Sequence, residues 1–312
     1  MKKAFLIYNP ASGRKKAKRA QAISRVIATF RGAGIQVEAA PTTHAGSAIQ
    51  QAREAAEAGF GTIIACGGDG TVNEALNGLA SATLSFSAAL GVVPLGSGNL
   101  LAADLHLPAD PVAAAQKLLS YTPREFRPGT VISQRNGAPE KRCFLVAAGV
   151  GSDAELMYRT AVEAKERWGR NAYFLEMARM ALRGGYPMFQ IEWEDAQGNR
   201  KQDHATLAMA IRATRFPGLL RFVNLGTALT QESFCLLLFR TAKVRRFLSY
   251  FAGVATGMNW KVKDVEVVQS RWFRCTPLSS TGAIYSQADG ELLGTLPAEL
   301  GIEGRAVRLL MP

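Results

Sequence analysis

The residues best suited to chemistry stand in the run Cys66 to Leu79, CGGDGTVNEALNGL. Gly67, Gly68 and Gly70 let the backbone approach a ligand closely and take positive φ. The N–H groups of such a turn, and of the helix it opens, can face a phosphate. Asp69 could hold a cation directly or through water. Thr71 could cap the helix and touch a phosphate oxygen. The plain alternative is a structural glycine turn with a capping box. The full run Gly-Gly-Asp-Gly-Thr, followed by Val72, Asn73 and Glu74, favours the binding loop. Two further loops are of the same kind: YNPASGR at 8–14, with Arg14, Lys15 and Lys16 beside it, and PLGSGN at 94–99. A later run, QADGE at 287–291, places Asp289 and Glu291 on either side of one glycine. Residues two apart on a strand share a face, so both carboxylates are expected to point the same way. Asp-Gly also marks hairpin turns, which is the competing reading.

These residues need elements to position them. Apolar runs alternate with helical patterns through the first part of the chain. KAFLIY, IQVEAA, GTIIAC and AALGVVP read as strands. Lys15 to Arg31, Ser47 to Ala58 and Thr71 to Leu79 read as helices, with another after GSGN. Such alternation predicts a parallel sheet with right-handed crossovers, whose ligands bind at the C-terminal ends of the strands. All three glycine-rich loops fall at that edge. From about Phe126 strands follow one another: GTVISQ, KRCFLVAAG, MFQIEWED, HATLAMAIRA, SFCLLLFR, VKDVEVVQS and GAIYSQADG. Helical inserts are expected at Glu155 to Arg183 and at Ala242 to Ala255. Two domains follow, an α/β domain over 1–126 and a mostly antiparallel β domain over 127–303, with a last strand in 304–312 returning to the first.

The formal net charge of +12 over 312 residues calls for an anionic partner: nucleic acid, an acidic membrane face or a phosphate-rich ligand. No helix-turn-helix, zinc finger or RNA-recognition signature supports nucleic acid. The four cysteines are far apart and set among apolar residues, which reads as buried thiols in a reducing compartment. The two lysines before the first apolar run resemble a signal sequence, but the run is too short and stops at Asn9-Pro10. No stretch approaches the ~20 apolar residues of a spanning helix. A cytoplasmic protein, peripheral at most on the inner face of a membrane, is expected.

In their order, NPASG, GGDGTVNE and PLGSGN resemble the ATP-binding half of the diacylglycerol kinase catalytic family, which includes bacterial lipid kinases and the sphingosine and ceramide kinases. AAGVGSDAEL at 147–156 and QADGE resemble that family's later motifs, so the likeness runs from residue 8 to 291. It implies a three-layer α/β/α nucleotide-binding domain joined to a β-sandwich domain. It also implies an ATP- and Mg²⁺-dependent transfer of the γ-phosphoryl group to a lipid hydroxyl. Under the resemblance Asn9, Pro10, Ala11, Ser12 and Gly13 bind ATP, with Thr42, Ser97 and the residues Gly67, Gly68, Asp69, Gly70, Thr71, Val72, Asn73 and Glu74. Asp289 is the general base, Glu291 and Asp69 meet magnesium, and Asp153 sits near the lipid head group.

The chain departs from the family in two places. Leu100 follows Asn99 where the family often has Asp, and GSGNLLAADL is similar to the sphingosine and ceramide kinases. Thr230 and Gln231 stand where bacterial diacylglycerol kinases tend to carry metal-binding carboxylates. NAD kinases share Gly-Gly-Asp-Gly-Thr, and a non-catalytic nucleotide-binding, membrane-associated protein is a third reading. RFPGLLRF at 215–222 and AKVRRFLSYF at 242–251 mix apolar with basic residues. They suit an anionic membrane surface, or equally an ordinary packed amphipathic segment. The lipid and the oligomeric state, a homodimer included, stay open.

Overall fold

The structure is a computed structural model that describes residues 1–10, 16–83, 88–152, 154–155, 186–214, 229–241, 243, 245–246, 249, 264–278 and 282–312. The expected helical inserts at 155–183 and 242–255 fall almost wholly outside these residues. The described chain divides into two compact units, Met1–Pro128 with Glu303–Pro312, and Gly129–Ile302.

The first unit begins β1 (Lys3–Tyr8), α1 (Lys16–Gly32), β2 (Gln36–Pro41), α2 (Ser47–Glu57) and β3 (Thr62–Gly67). It continues α3 (Asp69–Ser81), β4 (Ala89–Pro94), α4 (Leu100–Asp104), α5 (Pro111–Leu118) and β5 (Thr122–Phe126). The C-terminal strand, Val307–Met311, lies between β4 and β5, giving the order β2-β1-β3-β4-C-terminal strand-β5. The first strands pair in parallel, while β5 runs antiparallel to the C-terminal strand. β3 and β4 lie mid-sheet and are apolar and buried along their whole length, whereas the edge strand β2 exposes most of its residues. That contrast is what two covered faces demand. Right-handed crossovers put α1 on one face and α2 and α3 on the other. The helix contacts agree, α1 packing with α5 and α2 with α3. The result is the expected three-layer α/β/α arrangement. β5 and α5 had no clear signature in the sequence. Asp110 caps α5 by accepting from the Ala113 N–H, and Pro111 opens it.

The second unit holds β6 (Gly129–Arg135), β7 (Ala138–Phe144), β8 (Ala147–Gly151), β9 (Phe189–Glu194), β10 (Arg200–Ala205), β11 (Leu207–Ile211) and β12 (Phe234–Phe239). It closes with β13 (Val265–Ser270), β14 (Trp272–Pro277), β15 (Tyr285–Ala288) and β16 (Glu291–Ile302); the C-terminal strand is β17. Its sheet is antiparallel and follows the order β10-β9-β14-β16-β15-β8-β11-β12-β13, with β6 on β16 and β7 on β6. β16, of 12 residues, pairs with β15 over its first part and with β14 over its second, so one strand serves two faces of a curled sheet. Phe144, Phe189, Ile191, Phe234 and Phe273 fill the interior. The Phe234 and Phe273 rings meet edge to face, their centroids 5.7 Å apart.

Two apolar runs that read as single strands are each broken in two. KRCFLVAAG divides into β7 and β8, because the Leu145 and Val146 amides turn to the Asp289 carboxylate. HATLAMAIRA divides into β10 and β11 at Thr206, whose hydroxyl donates to the Thr241 carbonyl. Among the described residues no helix is long and apolar enough to cross a membrane.

The four cysteines are buried and unbridged. Burial alone pushes the Cys66 and Cys235 thiols up to about 12 and Cys275 well above its ordinary value. Such thiols stay protonated and unreactive at neutral pH. A maleimide at pH 7.5 should therefore label no cysteine of the folded chain and all four in denaturant. Labelling of any thiol under native conditions would contradict this packing.

Candidate functional site

At the C-terminal edge of the first sheet the ladders run one bond past the strands. The Asn9 N–H donates to the Cys66 carbonyl (3.2 Å), Thr42 N–H to Tyr8 (2.8 Å) and Leu95 N–H to Gly67 (2.9 Å). These bonds bring Asn9, Thr42 and the loops after β3 and β4 to one edge. Gly68 and Gly96 then pack backbone to backbone. A Cβ at Gly96 would lie 2.4 Å from the Gly68 Cα, and one at Gly67 would lie 2.5 Å from the Thr71 hydroxyl. Glycine is required here by close approach, not by φ. Asn99 has φ 53 and clamps Gly96 twice: its Oδ1 accepts from the Gly96 N–H (2.9 Å) and its Nδ2 donates to the Gly96 carbonyl (2.8 Å).

Asp69 joins the two loops. Its Oδ1 accepts from the Leu100 N–H at 2.7 Å, at the start of α4. Burial raises the pKa of Asp69, while the amides of Leu100, Asn99 and Leu101 pull it down. Glu74, in the second turn of α3, accepts from the Gly46 N–H (2.8 Å) and the Ala48 N–H (3.0 Å). It caps α2 from a neighbouring helix and thereby fixes the turn that follows Thr42. Asn73 is buried and its Oδ1 accepts from Asn77, while Val72 belongs to the apolar interior. Ser97 is exposed. The Pro10 carbonyl accepts from the buried Arg19 guanidinium. Ala11, Ser12 and Gly13 lie outside the described residues. Arg19 escaped the sequence reading, since it has no motif apart from its contacts, and Asn99 was read only as the end of PLGSGN, not as the clamp on Gly96.

Asp289 and Glu291 belong to the second unit. Asp289 (φ 49) and Gly290 (φ 89) are the two central residues of a hairpin turn between β15 and β16. Successive positive φ values define the type I′ turn for which Asp-Gly is suited. The hairpin reading of this sequence is thus met, and Asp289 is not on the strand. The strand-face argument for both carboxylates pointing one way does not apply. Asp289 folds back: Oδ2 accepts from the Leu145 N–H (2.8 Å), and Oδ1 from Val146 (2.8 Å) and Ala147 (3.0 Å). Its own N–H donates to the Ala147 carbonyl at 2.8 Å. Three converging N–H donors require a group that only accepts, which an ionised carboxylate is. Glu291 is half exposed and lies 4.0 Å from the Arg142 guanidinium.

Asp153 lies outside the described residues. Thr230 and Gln231 sit in an exposed turn just before β12. The carbonyls of Leu229 and Gln231 accept from Arg212 Nη2 at 2.9 and 3.0 Å. Arg212 was not foreseen as part of any site. Among the described residues no three His, Cys, Asp or Glu side chains are grouped to hold a metal ion.

Three substitutions, one of them a control, test this geometry. Gly96→Ala should destabilise the chain by about 1–3 kcal/mol through overpacking, while Gly61→Ala, where a Cβ meets nothing within 4 Å, should change it by less than about 0.5 kcal/mol. Glu74→Gln removes one of two acceptors facing buried N–H groups and should cost about 1–3 kcal/mol in urea unfolding. Equal effects of the two glycine substitutions would show that the loops are not in contact.

Comparison with known proteins agrees with this architecture. The model of the diacylglycerol kinase catalytic domain matches residues 3–131. A diacylglycerol kinase of Bacillus subtilis is 30% identical over 313 residues, covering 100% of this chain and 97% of that protein. A protein of Chromohalobacter salexigens described as a probable lipid kinase, YegS-like, is 36% identical over 153 residues, 49% of this chain and 47% of that one. A crystal structure of a Bacillus anthracis diacylglycerol kinase superposes with TM-score 0.73 at 20% identity, covering 100% of this chain and 97% of the other. The structural likeness carries the fold, and the full-length sequence relation carries the kinship. The chain belongs to the diacylglycerol kinase family.

Proposed function

We propose that this chain is an ATP- and Mg²⁺-dependent lipid kinase that phosphorylates the hydroxyl of a diacylglycerol-like or sphingoid-like lipid at a membrane surface, with Asp289 as general base. The observation that carries the reading is the 30% identity to a diacylglycerol kinase along the whole chain. The local geometry supports it. The loops at Gly68 and Gly96 keep side chains out of the space between them, and α3 begins at Asp69. Backbone amides at a glycine turn and a helix start suit the phosphates of a nucleotide. Asp69 in the first unit and Glu291 in the second each offer a carboxylate to Mg²⁺, which would supply charge neutralisation on the transferring group.

The remaining requirement is a base for the lipid hydroxyl. A carboxylate offers about four acceptor positions, and backbone amides take three of those on Asp289, one at Oδ2 and two at Oδ1. The cradle fixes that carboxylate with backbone amides, the kind of fixed placement that phosphoryl transfer depends on. The net charge of +12 and the basic, apolar segments at 215–222 and 242–251 favour an anionic bilayer as the place of reaction.

The test uses the full chain, Mg²⁺ and labelled ATP with mixed micelles of diacylglycerol, monoacylglycerol, sphingosine, ceramide or phosphatidylglycerol, and NAD as a control acceptor. One lipid should take label, and chelation of Mg²⁺ should abolish the transfer. Asp289→Asn should lower kcat on the order of 10²–10⁴-fold, and it should lower the melting temperature too, since an amide NH₂ then faces a backbone N–H; turnover is read below that temperature. Label on NAD alone would overturn the lipid reading, and full activity in Asp289→Asn would overturn the base. Sedimentation with anionic vesicles should weaken as salt rises; binding indifferent to salt and to lipid charge would remove the electrostatic argument for the membrane.

A further inference from the structure

Arg212 follows β11 and is 0% exposed, the largest fully buried side chain among the described residues. A guanidinium taken out of water persists only where opposite charge and acceptors surround it. An apolar side chain of like size would fill the space at lower cost. The two carbonyls that Arg212 Nη2 reaches belong to an exposed turn, where water could serve them equally well. Filling space and satisfying that turn therefore do not account for a cation here.

Asp289 does. The Arg212 and Ala213 N–H groups both donate to the Val146 carbonyl, at 2.9 and 3.1 Å. The N–H of the same Val146 donates to Asp289 Oδ1. One short segment, 145–147, thus ties the end of β11 to the carboxylate at the β15–β16 turn. Burial brings the Arg212 guanidinium down to about 10, and the charge of Asp289 opposes that shift. The Asp289 charge thus favours the charged form of Arg212, and the 145–147 segment joins the two residues.

Resting on the reading of Asp289 as the base, we propose that Arg212 is a positioning residue. Its charge holds the Asp289 carboxylate in the 145–147 cradle, and its Nη2 fixes the 229–231 turn to the same strand end. The guanidinium acts through Asp289 rather than on the lipid or the nucleotide. Arg212→Lys keeps the charge and loses the planar fork. Arg212→Gln keeps a donor for the turn and loses the charge.

The two variants are compared in the full chain, alone and combined with Asp289→Asn, by thermal melting and by kcat and KM on the phosphorylated lipid. Arg212→Gln should lower kcat on the order of 10²-fold, the effect of a misplaced reacting group, with KM for ATP held within about twofold. Arg212→Lys should recover about tenfold of that loss. In the Asp289→Asn background Arg212→Gln should change kcat by less than about twofold, because coupled residues are not additive. Arg212→Gln should also lower the melting temperature less in the Asp289→Asn background than in the wild-type background. Equal losses from Arg212→Gln in both backgrounds, or Gln outperforming Lys, would reduce Arg212 to a clamp of the turn and overturn the proposal. Full activity of Asp289→Asn would overturn the base reading, and with it the catalytic part of the proposal; the melting cycle still reads the Arg212–Asp289 coupling without any turnover.

Discussion

Where a strand or helix ends, its last amides leave the ladder, and a buried N–H without an acceptor is costly. In this chain carboxylates meet that demand at the places where chemistry is expected. Asp69 accepts from Leu100, 31 residues away, and Glu74 from Gly46 and Ala48, 28 and 26 residues away. Asp289 accepts from Leu145, Val146 and Ala147, at separations of 144 to 142 residues. Hydrogen bonds to charged groups contribute about 1.5–3 kcal/mol each. They also join segments that no local propensity would bring together. The loop after β3 is held to the loop after β4, the turn before α2 to α3, and the β15–β16 hairpin to the break between β7 and β8.

The same bonds set the geometry of the candidate site before any ligand arrives. Gly68 and Gly96 touch because neither carries a side chain, and Asp69 and Asn99 hold them there from two directions. A loop pinned in this way presents its amides at little further cost in ordering, which is what preorganisation means for a site that stabilises charge. Asp289 keeps the 145–147 segment in place and, on the proposed function, also takes the proton. Removing its charge therefore touches structure and chemistry together, so stability and turnover must be read side by side at this position.

Charge balance in the second unit follows the same rule. Arg212 is fully buried, and its attraction to Asp289 offsets part of its desolvation. Exposed ion pairs such as Arg271 with Glu232 contribute little by comparison, since solvent screens them.

The alternation of strand and helix in the first part of the sequence determined the parallel sheet, and apolar runs such as TIIAC and ALGVVP marked its buried centre, because side-chain periodicity is a local property. The glycine-rich loops were legible for the same reason: their composition is contiguous. Tertiary structure decided what those residues touch. KRCFLVAAG reads as one strand until Asp289, more than 140 residues on, draws the Leu145 and Val146 amides away from the ladder. Glu74 reads as a capping-box residue, yet it caps α2 rather than its own helix. Arg212 looks like any basic residue at the end of an apolar run until the fold buries it completely. A hydrogen bond or a buried charge depends on distance in space, which sequence spacing beyond a turn or two does not encode.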